Sequence, residues 1–172
     1  METSKFDQLA HDACTHAFDF MVGEPVVFVR DSHLIGAGAS GTNLFGSMNG
    51  LDAGFYAISV GYIGDAGGMI ILILTRELAE RFTCKLLGMP SIEWTGADNP
   101  GETMQDTMGE LGNSLVGLVK GALTKIYPHL TLTTPQVNHG SLIPLNPGDY
   151  SFRKQYHFTA MGSSMIVDIC HK

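Results

Sequence analysis

Glu110 and Asn113 are the residues of this 172-residue chain whose types and spacing most invite chemistry. They stand three apart in a segment of helical periodicity, Thr103–Ile126. At that spacing two side chains emerge on one face, with Cβ atoms roughly 5–6 Å apart. A carboxylate accepts hydrogen bonds or pairs with a cation, while a carboxamide donates and accepts at once. Both are thus presented to solvent on one rigid element. At about 100° per residue, Asp106, Glu110, Asn113, Gly117 and Lys120 form a polar stripe. Roughly opposite it run Met104, Met108, Leu111, Leu115, Leu118, Val119, Ala122 and Ile126, the expected core face.

An ordinary solvated helix face also carries Asp, Glu, Asn and Lys without doing any chemistry. Glycine sets this helix apart. Gly109, Gly112, Gly117 and Gly121 all fall within it, and each costs roughly 0.5–1 kcal/mol against alanine in a helix interior. Glycine is retained where another backbone approaches closely. Gly117 and Gly121 lie on or beside the polar stripe, so the helix reads as shaped for another protein to lie against.

Other patterns carry less. Gly36–Gly41 spells G-x-G-x-x-G, but Thr42-Asn43-Leu44-Phe45-Gly46 follows where a nucleotide-binding helix should begin. A glycine-rich turn is expected there instead. The seven histidines show neither HExxH nor H-x-H spacing, and His11 and His16, five apart, sit on different helix faces. No metal site is expected. Ser40 and Ser163 lack a G-x-S-x-G elbow. Met104 and Met108 read as core filler.

Composition limits the partner class. The formal charge is −7, with ten Lys and Arg residues scattered along the chain, which argues against nucleic acid or an anionic membrane. A protein or a small neutral or cationic ligand is left. Cys14, Cys84 and Cys170 are odd in number and far apart, as reduced cytosolic thiols would be. Met1–Asp12 is polar and of mixed charge, without the apolar core of a signal peptide. The longest purely aliphatic run, Met69–Leu74, is too short to span a bilayer. The expectation is one cytoplasmic domain over residues 1–172.

The surrounding pattern must position the helix. Phe6, Leu9, Ala10, Ala13, Ala17 and Met21 recur at helical spacing over Lys5–Met21, before Gly23 and Pro25. Pro25–Arg30 reads as a strand, and Leu34–Leu51 as a strand with turns. Phe55–Ile63 and Gly67–Leu74 read as two strands joined by a tight turn. Thr75 can cap a helix ending at Leu87, with Gly88 and Pro90 beyond it. A loop, Gly96–Gly101, leads into the long helix. After Pro128 the strand signals are Leu130–Thr134, Gly140–Leu145, Ser151–Thr159 and Met165–Cys170. The fold class expected is α+β, a largely antiparallel β-sheet packed with long α-helices.

The segment Asp106–Leu123, DTMGELGNSLVGLVKGAL, resembles the signature of the CheC, CheX and FliY phosphatases, [DS]-x-x-x-E-x-x-N followed by Gly and often a basic residue. Asp106, Glu110, Asn113, Gly117 and Lys120 stand at the matching places. The order of elements, including the Thr133–Gly140 stretch TTPQVNHG and the closing strands, is also similar to CheX, so the resemblance covers most of the chain. It implies a CheC-like/CheX-like fold and hydrolysis of the phosphoaspartate of a CheY-like receiver domain. Asn113 would position the attacking water, and Glu110 would pair with the receiver's active-site lysine. Asp106, Gly117 and Lys120 would belong to the docking surface. The Mg2+ would be the receiver's, with no cofactor of the chain's own, and a homodimer is implied as well.

CheC-like relatives carry a second copy of the motif on the first helix. Here that stretch reads Asp12-x-x-x-His16-x-x-Asp19, lacking both Glu and Asn, so one functional site is expected. Two other readings stay open at this stage. One is a non-catalytic module of the same fold that docks a receiver or another signalling protein. The other is a small-ligand sensor, which would need an apolar pocket with convergent polar groups.

Overall fold

The computed structural model describes residues 3–23, 26–33, 54–90, 101–140 and 150–172. In chain order the elements are α1 (Thr3–Val22), β1 (Val27–His33), β2 (Phe55–Gly64), β3 (Gly68–Thr75), α2 (Arg76–Leu87), α3 (Gly101–Leu123), β4 (Leu130–Leu132), β5 (Gln136–Gly140), β6 (Phe152–Ala160) and β7 (Ser163–His171). The seven strands among the described residues form one sheet in the order β1-β6-β7-β3-β2-β4, with β5 also pairing β2. Every described pairing is antiparallel. The α+β expectation holds.

Strand alternation gives the sheet two faces. One carries Tyr56, Ile58, Val60 and Tyr62 of β2, Ile70, Leu72 and Leu74 of β3, and Tyr156 and Phe158 of β6. These merge with buried residues of all three helices, among them Phe18, Phe82, Met108 and Leu115, into one core. On the other face Phe55, Ala57, Ile71, Ile73 and Ile166 form a smaller buried cluster. Beside that cluster Asp168 is fully buried and accepts from Arg153 Nε and a terminal guanidinium nitrogen (2.7 Å) and from Gln155 Nε2 (3.1 Å).

Local chemistry explains most boundaries. Thr75 ends β3 and caps α2, its hydroxyl accepting from the Leu78 N–H. Gly88 closes α2 in the left-handed conformation at φ 65°, which favours glycine because it has no Cβ. The first helix, the β2–β3 hairpin and the last two strands lie where periodicity puts them, within a few residues.

Two elements differ. Strand β5, Gln136–Gly140, is not among the strands expected from the sequence; the strand expected over Gly140–Leu145 lies, beyond Gly140, outside the described residues. Pairing decides β5, since Val137 sits opposite Ile58 and Gly140 opposite Phe55 on β2. The long helix starts at Gly101 and stops at Leu123, short of Ile126, because the turn at 124–126 bonds back onto it. The strand and turns expected over Leu34–Leu51, the Gly36–Gly41 motif with Ser40, and most of the Gly96–Gly101 loop lie outside the described residues.

The three cysteines are free. Burial pushes the Cys14 thiol up to about 12, so it stays protonated and unreactive at neutral pH. Among the described residues no group of three or more His, Cys, Asp or Glu could hold a metal ion. Nor is any helix there long and apolar enough to cross a membrane.

Candidate functional site

Helix α3 carries the site, and its packing fixes which side faces out. It lies over β2 and against α1 and α2. Met104, Met108, Leu111, Leu115 and Val119 are buried, as their spacing requires. Thr107, Gly112, Val116 and Leu123 are buried too, whereas Leu118 and Ala122 are only half-buried. The buried face is therefore wider than one apolar stripe and turned toward β2, because sheet and helices both press on it. Thr107 pays no polar penalty there; its hydroxyl donates to the Thr103 carbonyl at 2.7 Å.

Gly112 is the contact point. A Cβ at that position would lie 2.3 Å from Ile58 Cγ2 and 3.8 Å from Val60 Cγ2, so helix and strand approach more closely than any side chain permits. The sequence signals the glycine but not its partner, which only the fold supplies. Gly117 and Gly121 differ, since nothing lies within 4 Å of a Cβ at either. Their glycines are unexplained by internal packing and sit on the outward side. Gly112→Ala is expected to destabilise the fold by about 1–2 kcal/mol, overpacking outweighing the gain in helix propensity. Gly121→Ala is expected to stabilise it by about 0.5–1 kcal/mol. Urea midpoints of the two variants check both signs.

The polar residues fall on the outward side. Asp106, Glu110 and Gly117 are exposed, and Asn113 and Lys120 are half-exposed. All five thus share one accessible surface. Among the described residues neither Glu110 nor Asn113 has an intramolecular hydrogen-bond or ion-pair partner, so both are available to something outside the chain. The charges along the helix are graded: Glu102, Asp106 and Glu110 in the N-terminal half, Lys120 in the last turn. That gradient also complements the helix dipole.

Asn113 is half-exposed and follows Gly109 by four residues, so the helical repeat puts it toward the β5 side of the stripe; a Cβ at Gly109 would lie 3.9 Å from Val137 Cγ2. Periodicity alone could not reveal this neighbour, because β5 comes from a later segment. On α1, Asp12, His16 and Asp19 are all exposed. Gln8 donates to Asp12 at 2.8 Å, and the His16 ring lies near that of Phe20. These three exposed positions of α1 carry neither Glu nor Asn.

The antiparallel sheet with its three described helices is a CheC/CheX-like fold, as the structural neighbours show. The family model described as chemotaxis phosphatase CheX matches residues 56–157, more than half of the chain. The chain belongs to the CheX family. No curated protein matches the sequence. Among solved structures it is similar to a chemotaxis protein CheX from Desulfovibrio desulfuricans, at 16% identity, covering 97% of this chain and 99% of that one with a TM-score of 0.72. A CheC-like superfamily protein from Shewanella sp. PV-4 is 18% identical, with 100% and 99% covered and a TM-score of 0.73. The CheX–CheY–BeF3–Mg2+ complex from Borrelia burgdorferi contains a chain 16% identical, with 97% of each covered and a TM-score of 0.71. At such identities the likeness is one of fold.

Proposed function

We propose that this protein hydrolyses the phosphoaspartate of a CheY-like receiver domain and so terminates a chemotaxis or related two-component signal. The observation that carries the reading is the pairing of Glu110 and Asn113 on the accessible face of α3, unpartnered among the described residues and set in the family's pattern. The solved complex of a structural neighbour with CheY supports the choice of partner.

Phosphoryl transfer to water through a loose transition state needs alignment and charge stabilisation rather than a covalent intermediate. In this reading the receiver supplies the Mg2+ and a lysine. Asn113 accepts from and donates around the attacking water, holding it in line with the acyl phosphate. Glu110 pairs with the receiver's lysine and sets the register of docking. Asp106 and Lys120 add complementary charge at either end of the helix, and Gly117 keeps the surface low where the partner lies. The broader reading includes a cytoplasmic homodimer. The exposed Val27 and Val29 of β1, outermost in the strand order, suit an association surface.

A panel of receiver domains from the host, each charged with a small phosphodonor, tests the proposal. Accelerated phosphate loss from one receiver supports it. Binding to a receiver whose phosphate lifetime stays unchanged would replace the enzyme by a docking module of the same fold.

A further inference from the structure

The α3 stripe has a second wall. Helix α3 ends shortly before β4, whose first residue Leu130 stands opposite Gly64, so α3 and β2 run in the same sense. Gly112 packs over Ile58 and Val60, and Gly109 faces Val137. Strand β5 pairs β2 from Phe55 to Ser59 and therefore flanks the N-terminal half of α3, on the side of Gly109 and, by the helical repeat, of Asn113. Alternation puts Val137 and His139 on the helix side of β5 and Asn138 on the opposite side. The His139 ring confirms this, with its centroid 5.8 Å from that of Tyr56, a residue of the helix-side core. His139 is exposed and Val137 half-buried.

Resting on the phosphatase reading above, we infer that the receiver-docking surface continues from α3 onto the helix-side face of β5, with His139 a determinant of which receiver is accepted. The occupant is the stretch of receiver backbone bordering its phosphoaspartate. Three observations favour it. The two walls are continuous, because Gly109 raises no side chain between Asn113 and Val137. Their chemistry is complementary in kind: α3 offers charge, whereas Gln136–Gly140 bears no Asp, Glu, Lys or Arg. The β5 wall instead offers an apolar contact at Val137 and, at His139, a ring face with two nitrogens for hydrogen bonding. The wall is also firmly held. The Thr133 N–H donates to the Gly61 carbonyl at 2.9 Å, and the Thr133 hydroxyl accepts from the Gly61 N–H at 2.9 Å. The chain just before β5 is thereby tied to β2.

His139 would act on recognition, not on the reacting atoms. Steady-state dephosphorylation of the receiver found by the panel is measured for wild type, His139→Ala, Asn138→Ala and Asn113→Ala. The expected result is a rise in KM of about tenfold for His139→Ala at unchanged kcat, on the scale of one well-packed interface side chain. Asn138→Ala, on the same strand but the other face, is expected to match wild type. An unchanged KM for His139→Ala, with turnover abolished by Asn113→Ala, would overturn this inference and leave the phosphatase reading standing. A fall in kcat at unchanged KM would also overturn it, by moving His139 into the chemistry. Turnover surviving in Asn113→Ala would instead sink the water-positioning reading, and the inference with it.

Discussion

Asn113→Ala is expected to slow receiver dephosphorylation by about 100-fold or more while leaving docking within a few-fold of wild type. The magnitude is that of losing one preorganised group that orients or stabilises the reacting atoms. Alanine keeps the helix, since it is the best helix former, and Asn113 is half-exposed with no described intramolecular partner to lose. Stability should therefore hold. The amide cannot be replaced by bulk solvent, because an untethered water must be aligned at the moment of attack. Single-turnover decay of a phosphorylated receiver gives the chemical step, and binding to the same receiver charged with beryllofluoride gives the docking step. A loss of binding equal to the loss of rate would reassign Asn113 to the interface.

The second large effect is on stability. Asp168→Ala is expected to cost about 3–5 kcal/mol, the usual consequence of leaving a buried partner charge uncompensated. Asp168 is fully buried in β7, and the Arg153 side chain that holds it by two nitrogens is only 9% exposed. Removing the carboxylate strands that guanidinium and the amide of Gln155 together. A loss of this size is a large share of the ~5–15 kcal/mol that keeps a domain folded. The double replacement Arg153→Met with Asp168→Leu should recover most of it, since an apolar pair of similar volume removes the desolvation problem. By contrast, the helix-surface pairs Arg76–Glu80 and Arg81–Glu77 should each be worth about 0.3–0.5 kcal/mol. Urea unfolding followed by circular dichroism checks this. A cost below about 1 kcal/mol for Asp168→Ala would mean that the pair is solvated.

Much of this architecture is legible in the sequence. The 3.6-residue period of α3, the alternation through Phe55–Ile63 and the cap at Thr75 are local signals, and local packing obeys them. The polar stripe is read correctly because a helix face needs only its own segment to define it. What escapes is set by distant partners. Gly112 reads as one glycine among four until Ile58 is placed beneath it. Strand β5, Gln136–Gly140, gives only weak alternation of its own and is fixed by pairing with β2. His139 gives no sequence signal at all, since its relation to α3 runs through the register Tyr56↔His139. The buried Arg153–Asp168 pair is similarly hidden, its partners standing on neighbouring strands and offset along the ladder.

The central claim is that Asn113 supplies the step a receiver cannot perform fast by itself. The most direct measurement is the decay of one phosphorylated receiver under excess protein, wild type against Asn113→Ala, at concentrations where beryllofluoride-charged receiver is fully bound by both. Decay is expected to be accelerated by wild type and returned to the receiver's own rate by Asn113→Ala. Equal acceleration by both proteins would contradict it.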